Sequence, residues 1–336
     1  MAHANSSEGS RMVYEKIRKL GVLNVDDYVD IVRNVWSTIH ARRTVLDYAL
    51  HVLDHSSRLG EAVRRDEPDR ILDEIAETAN WLFGFVAKLN DKKQGWWQVF
   101  NIPTRLSHMI WGKYPGFCPH CFERIYVWQE GKGRVNEIVS EIRGKCRYCL
   151  ADYPGVEYRA EETKYDLLKR DARLKLKEIA AATRGKVPPT LSKMEKMFHA
   201  IYDSNVAIST LESVGFHLLE ETGEVGRAVI DLYTNKPKDS KTLDEKRIEL
   251  SDEVAEVFAW LCSLTAKVRA HVASVDKYGE RLVLPRLPGA KYDGLAKKVG
   301  LEEILLLRHV DDKSHEYRCD YCGKRPCVCK LSFVWE

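Results

Sequence analysis

Two stretches of this chain resemble one another, so the chain reads as the same helical unit used twice. His51-Val-Leu-Asp54-His55-Ser-Ser-Arg58-Leu-Gly60-Glu-Ala-Val63 aligns with His217-Leu-Leu-Glu220-Glu221-Thr-Gly-Glu224-Val-Gly226-Arg-Ala-Val229 at an offset of 166 residues. Asp73-Glu74-Ile-Ala-Glu77 through Trp81-Leu82, and Ala87-Lys88, align with Asp252-Glu253-Val-Ala-Glu256 through Trp260-Leu261, and Ala266-Lys267, at an offset of 179. Self-similarity at a long interval is the mark of a tandem structural unit. The unequal offsets give the second copy a longer intervening loop, polar and Lys-rich, from Thr234 to Lys246.

Both segments of the second copy are helical by pattern. Leu218, Leu219, Val225, Ala228 and Val229 recur at helical spacing in one, and Leu250, Val254, Val257, Phe258 and Leu261 in the other, so each has an apolar stripe. On such helices Glu220, Glu221 and Glu224 share a face, as do Glu249 and Asp252. Like charges three or four residues apart repel by a few tenths of a kcal/mol per pair. A hard divalent cation, which takes oxygen ligands, offsets that repulsion. Glu253 and Glu256 extend the acidic stripe, either as supports behind the ligands or as exposed charges.

Glu-Glu-x-x-Glu, a polar gap and Glu-x-x-Asp, each set in an amphipathic helix, resemble the motif of the MazG-like nucleoside triphosphate pyrophosphohydrolases, an all-α superfamily. The motif reads here as Glu220, Glu221 and Glu224, a gap of 24 residues, then Glu249 and Asp252, within roughly 192–270. The resemblance implies an all-α fold in which two helical units pair. It also implies Mg²⁺ (or Mn²⁺) held by Glu221, Glu224, Glu249 and Asp252, with Glu220 available to activate water. The implied substrate is a nucleoside triphosphate, cleaved to the monophosphate and pyrophosphate. Lys267 and Arg269, near the end of the second motif helix, are candidates for phosphate contact or a solvated helix end.

The first copy departs from the motif. Asp54, His55, Arg58 and Arg70 stand where the second copy has Glu220, Glu221, Glu224 and Glu249, and only Asp73 keeps the acid of Asp252. Arginines repel Mg²⁺, so the first copy reads as a degenerate partner and one chain as an internal pseudo-dimer. Arg58 and Arg70 are expected to pair with acids of the other unit, or to help bind phosphate.

Eight of the nine cysteines fall in close groups: Cys118 and Cys121, Cys146 and Cys149, Cys319 and Cys322, Cys327 and Cys329. In an intracellular chain such spacing reads as tetrahedral thiolate zinc sites, two small four-cysteine modules. A redox pair or iron–sulfur centre is the other reading, and spacing leaves open whether the pairs combine locally or across the chain. Cys262 stands alone on an apolar helix and reads as a small buried hydrophobe.

The organisation that follows is a tail at 1–10, the degenerate repeat at 11–94, the first zinc module at 95–155, a charged linker helix at 156–188, the acidic repeat at 189–275, and a C-terminal segment with the second zinc module at 276–336. A helical stripe of Ile31, Val35, Trp36 and Ile39 precedes the first repeat, and a helix is expected at Glu302–Leu307. The 336 residues suffice for two or more domains. A net charge of +3 argues against a bulk nucleic-acid coat. The absence of an apolar run of membrane length or a signal-peptide core points to the cytoplasm. Two other functions stay open: a zinc-stabilised nucleic-acid-binding module, supported by Lys324-Arg325, Arg143-Gly-Lys145 and Trp96-Trp97, and a nucleotide sensor that binds without cleaving. A homodimer is compatible with each.

Overall fold

The computed structural model describes residues 23–91, 105–119 except 117, 190–234, 239–277 and 300–309, with short or single positions at 144–145, 152–153, 180, 187, 318, 324 and 326. The fold is all-α. Helices α1 (Val25–Val35), α2 (Ser37–Arg42), α3 (Val45–Arg64), α4 (Pro68–Leu89) and α5 (Leu106–Lys113) form the first half. Helices α6 (Leu191–Ile208), α7 (Leu211–Thr234), α8 (Ser240–Lys277) and α9 (Leu301–His309) form the second. Between them in the sequence, the described residues include an antiparallel pair of two-residue strands, β1 (Gly144–Lys145) and β2 (Asp152–Tyr153).

Local chemistry sets the helix starts. Asn24 and Asp27 at α1, and Thr44 and Asp47 at α3, each form a reciprocal capping box. Thr190, Thr210 and Asp239 each accept a backbone N–H three residues on, at α6, α7 and α8. Pro68 opens α4, where its missing N–H has no intrahelical partner to lose. The stripe expected to precede the first repeat is broken at Trp36 into α1 and α2; Ile31 and Val35 are buried, and Trp36 and Ile39 pack on the core.

The repeat positions are used alike. His51 stacks on Trp81 at 4.0 Å between ring centres, and His217 stacks on Trp260 at 4.6 Å. The packing is also reciprocal. Helix α3 lies on α4 and α7 on α8, α3 and α7 pack together between them, and α5 and α9 each cross from their own half to cover the other half's long helix, α8 and α4. Acids of the preceding helices cap both crossing helices: Asp26 accepts from the N–H of Ser107, and Glu195 from the N–H of Leu301. One continuous apolar core results, centred on Tyr28, Phe83, Phe85, Phe198 and Phe258.

The extra residues of the second copy are mostly not a loop. Helix α8 begins at Ser240, so 240–246 extend it instead of bridging to it. The Asp239 cap and the Lys246–Asp231 pair at 3.6 Å hold this extension against α7. At 38 residues, α8 is about 57 Å long and continues to Lys277, past the expected end of the repeat. Among the described residues no helix is long and apolar enough to cross a membrane. The linker helix at 156–188 and seven of the eight grouped cysteines lie outside the described residues; Cys118 is buried, as is Cys262.

Candidate metal centre

Helices α7 and α8 run antiparallel, and their contacts fix one register. Lys246 reaches Asp231 near the turn, and His217 stacks on Trp260 at the far end. Counting inward from both ends levels Glu221 with Glu256 and Glu224 with Glu253. One carboxylate oxygen from each of Glu221, Glu224, Glu253 and Glu256 lies within 4.8 Å of the others. The same register levels Glu249 with Ala228 and Asp252 with Val225, so neither joins the group.

Of the expected ligands, Glu221 and Glu224 are therefore brought together with Glu253 and Glu256, one turn further along α8 than Glu249 and Asp252. Spacing on one helix identifies an acidic stripe but cannot say which part of it the opposing helix meets. Glu249 instead pairs with Lys246 at 2.9 Å. Glu220 is exposed at the rim, 3.3 Å from His217 Nδ1. Lys267 donates to the carbonyls of Val206 and Ala207 at 2.9 and 3.3 Å, closing the C-terminal end of α6. Arg269 pairs with the buried Glu195 at 2.8 Å. These two cations are engaged in holding α6 and α8 together.

All four residues of the cluster are half-buried. Glu256 is held ionised: burial works against its charge, but Lys113 Nζ at 2.6 Å and hydrogen bonds from Glu221 and Glu253 hold its pKa low. Burial first, then the Glu256 charge, pushes Glu221 up to about 9 and Glu253 up to about 8, as expected where like charges share a site. Trp260 Nε1 donates to Glu221 at 3.3 Å. Oε2 of Glu221 and Oε2 of Glu253 are sealed from water with no hydrogen-bond partner, a state that costs about 1–3 kcal/mol per group. Four carboxylates at this spacing, two with unsatisfied oxygens, suit a hard cation.

No sequence pattern singles out Lys113. It is the eighth residue of α5, and the eighth residue of α9 is Arg308, which lies 3.7 Å from Glu77, the counterpart of Glu256 in the first half. That reciprocity is the available signal, but it exists only once both crossing helices are placed.

A cavity of about 520 Å³ opens beside the carboxylates. Its walls include Tyr114, Tyr202, His217 and Trp260, and its floor Glu221, Glu224 and Glu256, with Glu220 at the edge. Burial pushes the Tyr114 and Tyr202 phenols well above their usual range, so both stay neutral.

In the first half the same positions are filled differently. Arg58 pairs with Asp54 at 2.8 Å, and Arg70 with Glu61 and Glu67 at 2.8 and 3.0 Å. The expectation that these arginines pair across to the other unit is not met, because acids one turn away and across the α3–α4 turn are nearer. His55 Nδ1 lies 2.8 Å from Glu74.

No known family model, curated protein or solved structure matches the chain.

Proposed function

We propose that the chain is a Mg²⁺-dependent nucleoside triphosphate pyrophosphohydrolase of MazG-like type, with its two halves paired as an internal pseudo-dimer. The observation that carries this reading is the four-carboxylate cluster of Glu221, Glu224, Glu253 and Glu256, opening on a cavity walled by aromatic rings. Glu221, Glu224, Glu253 and Glu256 would hold the Mg²⁺ (or Mn²⁺), in place of the set with Glu249 and Asp252. When bound, the cation supplies positive charge against the triphosphate and makes a coordinated water more acidic.

The protein's own groups then do the rest. The indole of Trp260, carried by its stack on His217, and the rings of Tyr114 and Tyr202 offer flat apolar surface to a nucleobase. Lys113 adds a fixed positive charge beside the phosphates. Glu220, at the rim, would take the proton of the water that attacks the α-phosphorus. That attack breaks the bond to the bridging oxygen, releasing pyrophosphate and leaving the nucleoside monophosphate. The reciprocal packing of α5 and α9 supports the pseudo-dimer, since each half completes the other's surface.

The cysteine groups complete the proposal as two structural zinc modules. Cys146 and Cys149 lie in the sequence between the paired strands β1 and β2, and a turn of the Cys-x-x-Cys kind offers two thiolates to one Zn²⁺.

The test is pyrophosphate release across a panel of ribo- and deoxyribonucleoside triphosphates with Mg²⁺. Glu224→Ala and Glu253→Ala are expected to abolish release, and Glu249→Ala to retain it. No release by the wild-type protein from any triphosphate would overturn the hydrolase reading.

A further inference from the structure

The first half has lost the carboxylate set but has not lost a constellation of ligands. A nitrogen of His51, a nitrogen of His55 and an oxygen of Asp54 lie within 4.8 Å of one another on one face of α3. They occupy the level at which α7 presents Glu220 and Glu221, with His217 one turn before. Two histidines four residues apart on a helix project side by side, as needed to grip one ion.

We propose that His51, Asp54 and His55 form a second metal site, selective for a borderline transition-metal ion such as Zn²⁺ or Co²⁺ over Mg²⁺. The donor chemistry gives the selectivity. Imidazole suits zinc and cobalt, whereas Mg²⁺ demands oxygen ligands. One helical scaffold would thus hold a hard cation in one half and a softer one in the other.

Two features build the site. First, Glu74 Oε2 lies 2.8 Å from His55 Nδ1, with both side chains largely buried at 12% and 8% exposed. A carboxylate on one ring nitrogen fixes the tautomer and leaves the other nitrogen as a ligand. Second, both imidazoles lie nearly parallel to the Trp81 indole, His51 at 12° and His55 at 18°, so their rings are already oriented.

Arg58 holds both oxygens of Asp54, Nη2 at 2.8 Å and Nε at 3.2 Å, but each carboxylate oxygen has two lone pairs, so one oxygen can serve the guanidinium and an ion together. Donors around a tetrahedral ion lie roughly 3.3 Å apart, so binding requires the three groups, now within 4.8 Å of one another, to draw in by up to about 1.5 Å. Arg43 above the Trp81 ring and Arg58 hold the affinity below that of a closed structural zinc site.

The test is a Co²⁺ titration of the full chain, with its cysteines zinc-saturated and Mg²⁺ in excess, read by bound equivalents and by proton NMR. The expected result is one equivalent that persists in Glu224→Gln and is lost in both His51→Gln and His55→Gln. It carries a hyperfine-shifted, exchangeable imidazole N–H, the proton directed to Glu74. Glu74→Gln is expected to weaken binding about 10–100-fold without removing it. The proposal is overturned if the wild type binds no such equivalent, or if it survives in both histidine variants. The pyrophosphate assay is independent of either result.

Discussion

Lys113 is the buried cation of the four-carboxylate group, so replacing it by Met tests how that group is held together. Arg227 also touches the group, at 3.3 Å from Glu224, but its side chain is 64% exposed, and water screens such a pair to little net effect. The Lys113 ammonium lies 2.6 Å from Glu256, with the two side chains 13% and 17% exposed. Removing one member of a fully buried pair costs about 3–5 kcal/mol; the residual exposure of this one brings the expectation for Lys113→Met to about 2–3 kcal/mol. The methylene stem is kept, so little apolar packing is lost. The assay is urea unfolding in EDTA and again in Mg²⁺. At a hundredfold excess over its dissociation constant, a ligand stabilises the folded state by about 2.7 kcal/mol. Mg²⁺ binding is stronger once the competing ammonium is gone, so saturating Mg²⁺ narrows the gap between variant and wild type. Equal stability of the two proteins in EDTA would refute the electrostatic account of the cluster. An equal gap with and without Mg²⁺ would refute the idea that Lys113 and a cation share one site.

Other outcomes follow from the same structure. His40 is buried against Lys88, and its pKa is lowered to about 4. A depressed histidine contributes stability that is present above its unfolded value near 6.5 and lost as pH falls toward 4. Wild-type stability in urea is expected to fall over that window, and His40→Gln to show a shallower fall by up to one proton. Gly84 faces Tyr48, where a Cβ would meet Cε1 at 2.5 Å, and Tyr48 is fixed by its hydroxyl on His40 Nδ1 at 3.0 Å. Gly84→Ala is therefore expected to cost about 1–3 kcal/mol despite its better helix propensity, measured by chemical denaturation.

Helix propensity and apolar periodicity are local, and they make α3, α4, α7 and the motif-bearing part of α8 legible in the amino-acid sequence. The repeat is legible too: aligning His51 with His217 and Trp81 with Trp260 pairs residues that make the same ring stack in both halves. Cys262 reads as buried because its neighbours on the helix are apolar. The first turns of α8 read as loop because Lys-rich polar sequence has the same composition on a solvated helix, and the Asp239 cap and Asp231 partner that make it helical lie across the turn.

The sequence by itself determined that the chain is helical, that the stretch from His51 to Trp81 resembles the stretch from His217 to Trp260, and that the latter carries an acidic stripe. Tertiary structure alone decided which carboxylates meet. A stripe along α8 runs from Glu249 to Glu256, and only the antiparallel register against α7, set by apolar packing and by the contacts at its two ends, selects Glu253 and Glu256. It also decided that Lys113 from the first half enters the second half's cluster, and that Lys267 and Arg269 are committed to the α6 contact. Such pairings join residues distant in sequence, and their energy depends on distances that a one-dimensional pattern does not contain.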